Sequence, residues 1–198
     1  MKAHTAFSII PLFALAVAVY AETANGTVYL DQNRNNRRDP GESGVANVLV
    51  SDGENVVKTN SKGVYRLEVG DDCVIFISKP AGYDLPLSKI NFPQFYYVHS
   101  VKGSPEIAQK RVEPTGPLPK SLDFALLPAK KTDKFEVLVL GDSQTPSMKT
   151  VEHFTHEFVE EARGTKAVFG VTLGDIVSDT LPVLPAITSA HGLVGIPW

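Results

Sequence analysis

From Thr23 to about Pro128 the chain carries short bursts of apolar residues alternating with polar ones. They are Thr27-Val28-Tyr29-Leu30, Val45 to Val50, Val56 to Thr59, Val64 to Leu67 and Val74 to Ser78. A period of two is the mark of a strand with one buried face. Turn formers divide the bursts: Asp52-Gly53, Ser61-Lys62-Gly63 and Gly70-Asp71-Asp72. Leu122 to Leu126 alternates in the same way and predicts a last, half-buried strand. Short strands at regular spacing predict a small β-sandwich over residues 22–128. Between Pro80 and Pro119 the pattern gives way to Pro, Gly and the aromatics Tyr83, Phe92, Phe95, Tyr96 and Tyr97. Two readings compete for that stretch, a long ordered loop over a sheet edge and a binding surface; covering an edge is the commoner use.

Residues 128–134 form a charged linker, and beyond it the period changes. An apolar strand from Phe135 to Leu140 leads through Gly141-Asp142-Ser143-Gln144 to a helix predicted from about Ser147 to Arg163. Val151, Phe154, Phe158 and Ala162 give that helix one apolar stripe, and Gly164 ends it. Ala167 to Leu173 is the next strand. A second helix starts near Thr180, tolerates Pro182 in its first turn and stops at His191-Gly192. Right-handed crossover makes the two strands of this β-α-β-α unit parallel. The fold class expected is therefore α+β in two modules: a β-sandwich, then the opening of an α/β layer at residues 129–198.

Composition changes this picture little. With 198 residues, 43% hydrophobic and 21% charged, the chain is ordinary globular material. A net charge of -3 gives no basic footprint, so no nucleic-acid partner is indicated. Cys73, within an apolar run, has no second cysteine to pair with and reads as a buried structural thiol. The N-terminus does add something. Lys2, an uncharged apolar run from Ala6 to Val19 and the small residues of Val19-Tyr20-Ala21 read as a signal peptide of residues 1–21, cleaved after Ala21. A membrane anchor is the rival. The run falls short of the roughly 20 residues a span needs, so export with no stable span after cleavage is expected. No cysteine lies near that site for lipid attachment.

The chemistry concentrates in a repeated phrase. Val137 to Asp142 and Val171 to Asp175 are each an apolar run ending in Gly-Asp. On neighbouring parallel strands this puts two carboxylates where open α/β sheets bind ligands. The glycine before each Asp is expected to turn the backbone sharply off the strand. Asp142 and Gln144, two apart, can reach one ion, and Asp175 can approach from the adjacent strand. Oxygen donors of this kind suit hard cations. Asp after a strand also serves as a helix N-cap, but two such Gly-Asp ends with Gln144 alongside favour a metal site. These residues resemble the calcineurin-like metallophosphoesterases, in which Asp-x-His ends one strand and Gly-Asp the next. Asp142-Ser143-Gln144 and Gly174-Asp175 occupy those places, with Gln144 where His is usual. An exported branch of that family has an N-terminal β-domain with runs similar to Phe95-Tyr96-Tyr97 and Thr115-Gly116-Pro117-Leu118-Pro119. The resemblance implies a phosphoester substrate of unspecified type. It also implies two divalent ions (Mn, Mg, Fe or Zn) that polarise the phosphoryl group and activate a bridging hydroxide. The family's Gly-Asn-His motif and later histidines do not follow Trp198, so the resemblance further implies a truncated member, inactive as it stands, that needs the missing C-terminal half.

A second candidate site lies at Asp31 to Glu42. Asp31, Asn33, Asn35, Asp39 and Glu42 fall at positions one, three, five, nine and twelve of a calcium loop, with the Arg37 carbonyl at seven. Asn36 stands where Gly is usual, in a residue type that enters the left-handed region readily. With strands on either side, the loop looks like those in B-type repeats of bacterial surface adhesins. Arg34, Arg37 and Arg38 offset its carboxylates. A polar hairpin without an ion is the even alternative, and a calcium-stabilised binding module without catalysis is the rival function. His153 and His156 are read as a solvated helix face, not a zinc pair, and His191 as a satisfied or exposed helix-terminal residue.

Overall fold

The computed structural model describes residues 22–105 and 112–198, so the leader expected at residues 1–21 lies outside the described residues. The regular elements described in the first part are all strands: β1 (Glu22–Leu30), β2 (Leu49–Ser51), β3 (Val56–Lys58), β4 (Val64–Val69), β5 (Asp72–Ile77), β6 (Tyr83–Asp84), β7 (Tyr96–Ser100) and β8 (Phe124–Pro128). They form two four-stranded sheets, ordered β4-β1-β8-β6 and β3-β2-β5-β7. β4 alternates cleanly, with Tyr65, Leu67 and Val69 inside and Val64, Arg66 and Glu68 outside. β1 runs antiparallel to β4 and parallel to β8, with Val28 beside Phe124. One buried cluster joins Val28, Leu67 and Leu126 of the first sheet to Val50, Ile75 and Ile77 of the second. Inside it the Tyr65 hydroxyl donates to the Leu122 carbonyl at 2.7 Å, and burial pushes its pKa far above the phenol range.

Several expectations need correction. Val45 to Val48 is not strand: Asn47 is left-handed (φ 62°), and the Thr59 hydroxyl bonds both the Val45 carbonyl and the Val48 N–H. A side chain does there what a ladder would do. The last strand starts later, at Phe124, and does not alternate, because Phe124 to Leu127 are all buried. It lies between β1 and β6, with Ala125 beside the buried Tyr29. The stretch after Pro80 is not merely loop. It supplies β6 and β7, and Phe76 pairs with Tyr96 across β5 and β7. Cys73 is only half-buried, and burial pushes its thiol pKa up.

The second part has β9 (Val137–Leu140) and β10 (Phe169–Thr172), paired in parallel with Val139 opposite Val171. Between them runs α1 (Met148–Phe154), which passes through a π turn (Thr155–Val159) into α2 (Glu160–Ala162). The Thr155 hydroxyl bonds the Val151 carbonyl at 2.8 Å at the start of that π turn. A 3-10 turn (Leu181–Val183) leads into α3 (Leu184–Gly192). The stripe of Val151, Phe154, Phe158 and Ala162 packs with Ile187 of α3 in a second apolar cluster, as the periodicity predicts. Among the described residues no helix is long and apolar enough to cross a membrane.

The two parts touch through the loop between β6 and β7. The Asn91 side chain donates to the Gly192 carbonyl at 2.9 Å, and the Trp198 N–H reaches the Asn91 carbonyl at 3.3 Å. Gly192 is required by this contact, because a Cβ there would lie 2.3 Å from the Ile90 carbonyl oxygen.

Candidate metal centre

β9 and β10 deliver the two Gly-Asp ends side by side. Beyond Leu140 and Thr172 the pairing continues, since a parallel bridge joins Thr145 to Val177 in the same register. The Gln144 N–H donates to the Asp175 carbonyl at 2.7 Å and the Thr145 N–H to the Ile176 carbonyl at 3.1 Å. Three hydroxyls tighten the contact. Ser143 and Thr145 both donate to the Ile176 carbonyl (3.1 and 2.8 Å), and Ser178 donates to the Gln144 carbonyl at 3.1 Å. Asp142, Gln144 and Asp175 therefore sit in two loops that are zipped together, and all three are solvent-exposed.

Each of these three residues is left-handed, with φ of 55° at Asp142, 37° at Gln144 and 45° at Asp175. Non-glycine residues rarely hold that conformation, and where several do so together the surrounding structure enforces it. Here the inter-loop hydrogen bonds supply the enforcement. The expectation about the glycines holds only in part. Gly174 has φ 117°, whereas Gly141 is not left-handed and Asp142 makes the turn itself.

What the site can hold follows from its donors. Two carboxylates and one amide offer hard oxygen ligands suited to a cation such as Mg or Mn. No group of three or more His, Cys, Asp and Glu side chains is drawn together for a metal among the described residues. A two-ion centre needs more donors than Asp142, Gln144 and Asp175 provide, so the residues do not fit the full pair of ions.

The Asp31–Glu42 loop folds around its own side chains. Asp31 is fully buried, and its two oxygens accept the N–H groups of Asn35 (3.2 Å) and Asn36 (2.8 Å). Asn33 Oδ1 accepts the Asn35 N–H at 3.2 Å, and Asn35 Oδ1 accepts the Arg37 N–H at 2.8 Å. The Glu42 carboxylate takes the N–H groups of Gln32 and Asp39, each at 3.0 Å. Asn36 is left-handed, at φ 56°. The Asn33 and Asn35 side-chain amides donate to Asp39 at 2.8 and 2.7 Å and hold its carboxyl below the usual range. Burial, then the charges of Asp31, Glu42, Asp123 and Asp39, pushes Tyr29 up to about 12. Asp123 was not singled out in the sequence. Its carboxylate accepts the Thr27 N–H at 2.7 Å and shares a cleft with Asp39 and Glu42, into which Arg38 also projects.

The histidines divide. His153 and His156 are exposed, and His156 pairs with Glu160 at 3.0 Å on the solvent face, as expected. His191 departs from expectation: it is 3% exposed, and only its Nδ1 is bonded, to the Ile187 carbonyl at 2.7 Å. Sequence reasoning also missed Thr145, Ser143 and Ser178, whose hydroxyls carry no pattern in the chain that marks them as clamps.

Residues 32–112 match the family described as the N-terminal domain of calcineurin-like phosphoesterase. That stretch includes most of the Asp31–Glu42 loop and stops short of Asp142, Gln144 and Asp175. Colossin-A of Dictyostelium discoideum is 41% identical over 64 residues, which is 31% of this chain and 1% of that protein. The chain thus spans about one hundredth of the length of this curated relative.

Proposed function

We propose, from the match of residues 32–112 to the N-terminal domain of calcineurin-like phosphoesterase, that the chain is the N-terminal portion of an exported metal-dependent phosphoester hydrolase. On this reading residues 22–128 are a β-sandwich, and residues 129–198 open the α/β catalytic layer. Asp142, Gln144 and Asp175 are its cation ligands. The observation that carries the reading is the conjunction of three left-handed candidate ligands in two interlocked loops at the ends of parallel strands. With oxygen donors too few for two ions, and no imidazole among them to protonate a leaving group, this chain binds one divalent cation weakly and does not turn over phosphoesters. No step through a metal pair is derived for it.

Calorimetric titration with Mn, alongside hydrolysis of p-nitrophenyl phosphate, tests both halves of the reading. Heat of binding lost in Asp142→Ala and Asp175→Ala, with no turnover above buffer, is the expected result. Turnover that Asp175→Ala abolishes would overturn the inactivity, and Mn binding unaffected by either substitution would overturn the site.

A second reading is favoured by the loop between Asp31 and Glu42. Its side chains at positions one, three and five each accept a backbone N–H further along, the folding a calcium loop uses to turn its oxygens inward. On this reading the β-domain is a calcium-stabilised extracellular module. Calcium should then raise the melting temperature, and Glu42→Ala should remove the rise. Equal melting with and without calcium eliminates the ion.

A further inference from the structure

Residues 129–136 join the two parts of the chain, and they form neither helix nor strand. The segment is pinned at each end. The Ala129 N–H donates to the Gly82 carbonyl at 3.2 Å, and the Glu136 carbonyl accepts the Val168 N–H at 3.0 Å. Between these pins every residue from Lys130 to Glu136 is exposed. Among the described residues, the hydrogen bonds inside the span belong to the Thr132 hydroxyl. It donates to the Lys134 carbonyl at 2.8 Å and accepts the Lys134 N–H at 3.4 Å. The backbone N–H and C=O groups of Lys130 and Lys131 are open to a partner from outside the chain.

The side chains select one class of partner. An endoprotease takes its substrate as an extended strand, grips the backbone beside the scissile bond and reads the preceding side chain in a pocket. Lys130, Lys131 and Lys134 present three cations on an exposed connector, the kind of segment that is nicked most readily. Among the described residues neither Lys130 nor Lys131 has a hydrogen bond or ion pair to hold its ammonium back. Lys134 is less suited, because the Thr132 hydroxyl engages both its N–H and its carbonyl. Lys130 follows closely on β8, where Pro128 is still paired with Tyr83. Lys131 lies clear of both constraints. Basic residues of the β-domain sit in tighter backbone. Lys58 and Arg66 lie within strands, and the Arg37 and Lys62 N–H groups are held by Asn35 and Asn60 side chains at 2.8 and 2.9 Å. Position adds a further reason: the apolar clusters on either side share no residue, so a cut here opens neither core.

We infer that the Lys131–Thr132 peptide bond is a processing site for an endoprotease with an acidic pocket that selects a basic side chain. Water is added across the bond: its hydroxyl goes to the Lys131 carbonyl carbon, and the Thr132 nitrogen leaves with the proton as a free amine. The cut ends the covalent tie between the β-domain and the α/β part. It depends neither on the cation ligands nor on calcium.

Trypsin has the required selectivity and serves as the probe. Brief digestion of residues 22–198, folded in native buffer, is followed by intact mass and N-terminal sequencing. Thr132 should be the first new N-terminus. The fragment ending at Lys131 should then persist, although it carries Arg37, Lys58, Lys62 and Arg66. Lys130→Gln with Lys131→Gln should keep the parent melting temperature and slow the loss of intact chain about tenfold or more, because an acidic pocket is left without its cation. If that variant fails to fold, the site of the first cut in the parent decides alone. A first cut at any other lysine or arginine, or a folded double variant lost as fast as the parent, overturns the site. So does a β-domain fragment destroyed as fast as it forms.

Discussion

At the scale of single residues, burial without a partner and strain without a glycine mark the positions that matter. His191 is the sharpest case. Desolvation lowers its pKa below 6.5, and the bond from Nδ1 to the Ile187 carbonyl opposes that only in part. The unfolded chain takes up a proton as pH falls through 6.5 while the folded chain does not, so stability contributed above that value is lost on acidification. The melting temperature of the α/β part should therefore drop between pH 7.5 and pH 5.5, and His191→Gln should flatten the dependence. A slope unchanged in the variant would assign it to other groups. The sequence could place His191 at a helix end but not say which way it faced. Its ring lies against those of Phe154, from a different helix, and Trp198, from the segment past the end of α3, and neither contact is set by the helix's own periodicity. Asp142 and Asp175 were legible because their signal is local: an apolar run, a glycine and an acid, repeated. Their left-handed backbone was not legible, because it depends on hydrogen bonds between two loops.

Elements with a clean period were readable, and those built by side-chain contacts were not. β4 alternates in sequence and in structure, and the stripe of α1 and its continuation packs as its spacing implies. β7 was hidden in an aromatic stretch because Tyr96, Tyr97 and Val98 leave too few polar residues to show a period. The false strand at Val45 to Val48 failed for the opposite reason: its composition is β-like, but Thr59 takes the bonds a neighbouring strand would have made. The junction between the two parts was likewise invisible, since Gly192 reads in sequence only as the end of a helix. In the fold it is the point where α3 meets the Ile90–Asn91 turn. Gly192→Ala should destabilise the chain by about 1–3 kcal/mol through overpacking, measured by urea unfolding. It should also loosen Trp198, whose emission should shift to the red in native buffer. A neutral substitution would mean the Ile90 turn yields freely and the two parts are not firmly joined.

For the molecule as a whole, the β9–β10 pair leaves one of its faces apolar and open. Its paired residues share faces: Val137 and Val139 lie with Phe169 and Val171 on one side, while Leu138 turns to the helices on the other. The side away from the helices is bare, with Val139 58% exposed and Leu173 70% exposed at its end. Phe135 and Phe169 extend it as a tilted aromatic pair. Parallel strands are normally covered on both faces, and a contiguous apolar patch of this kind drives association. The chain should bind a hydrophobic dye such as ANS while fully folded and show a sedimentation coefficient that rises with concentration. Val139→Lys with Leu173→Lys places two charges on the bare face without touching the helix side, and should lower both signals while leaving the melting temperature nearly unchanged. If the double variant bound dye and associated like the parent, the patch would lie elsewhere, and the outer face of the sheet carrying Leu49, Val74 and Tyr96 would be the next surface to charge.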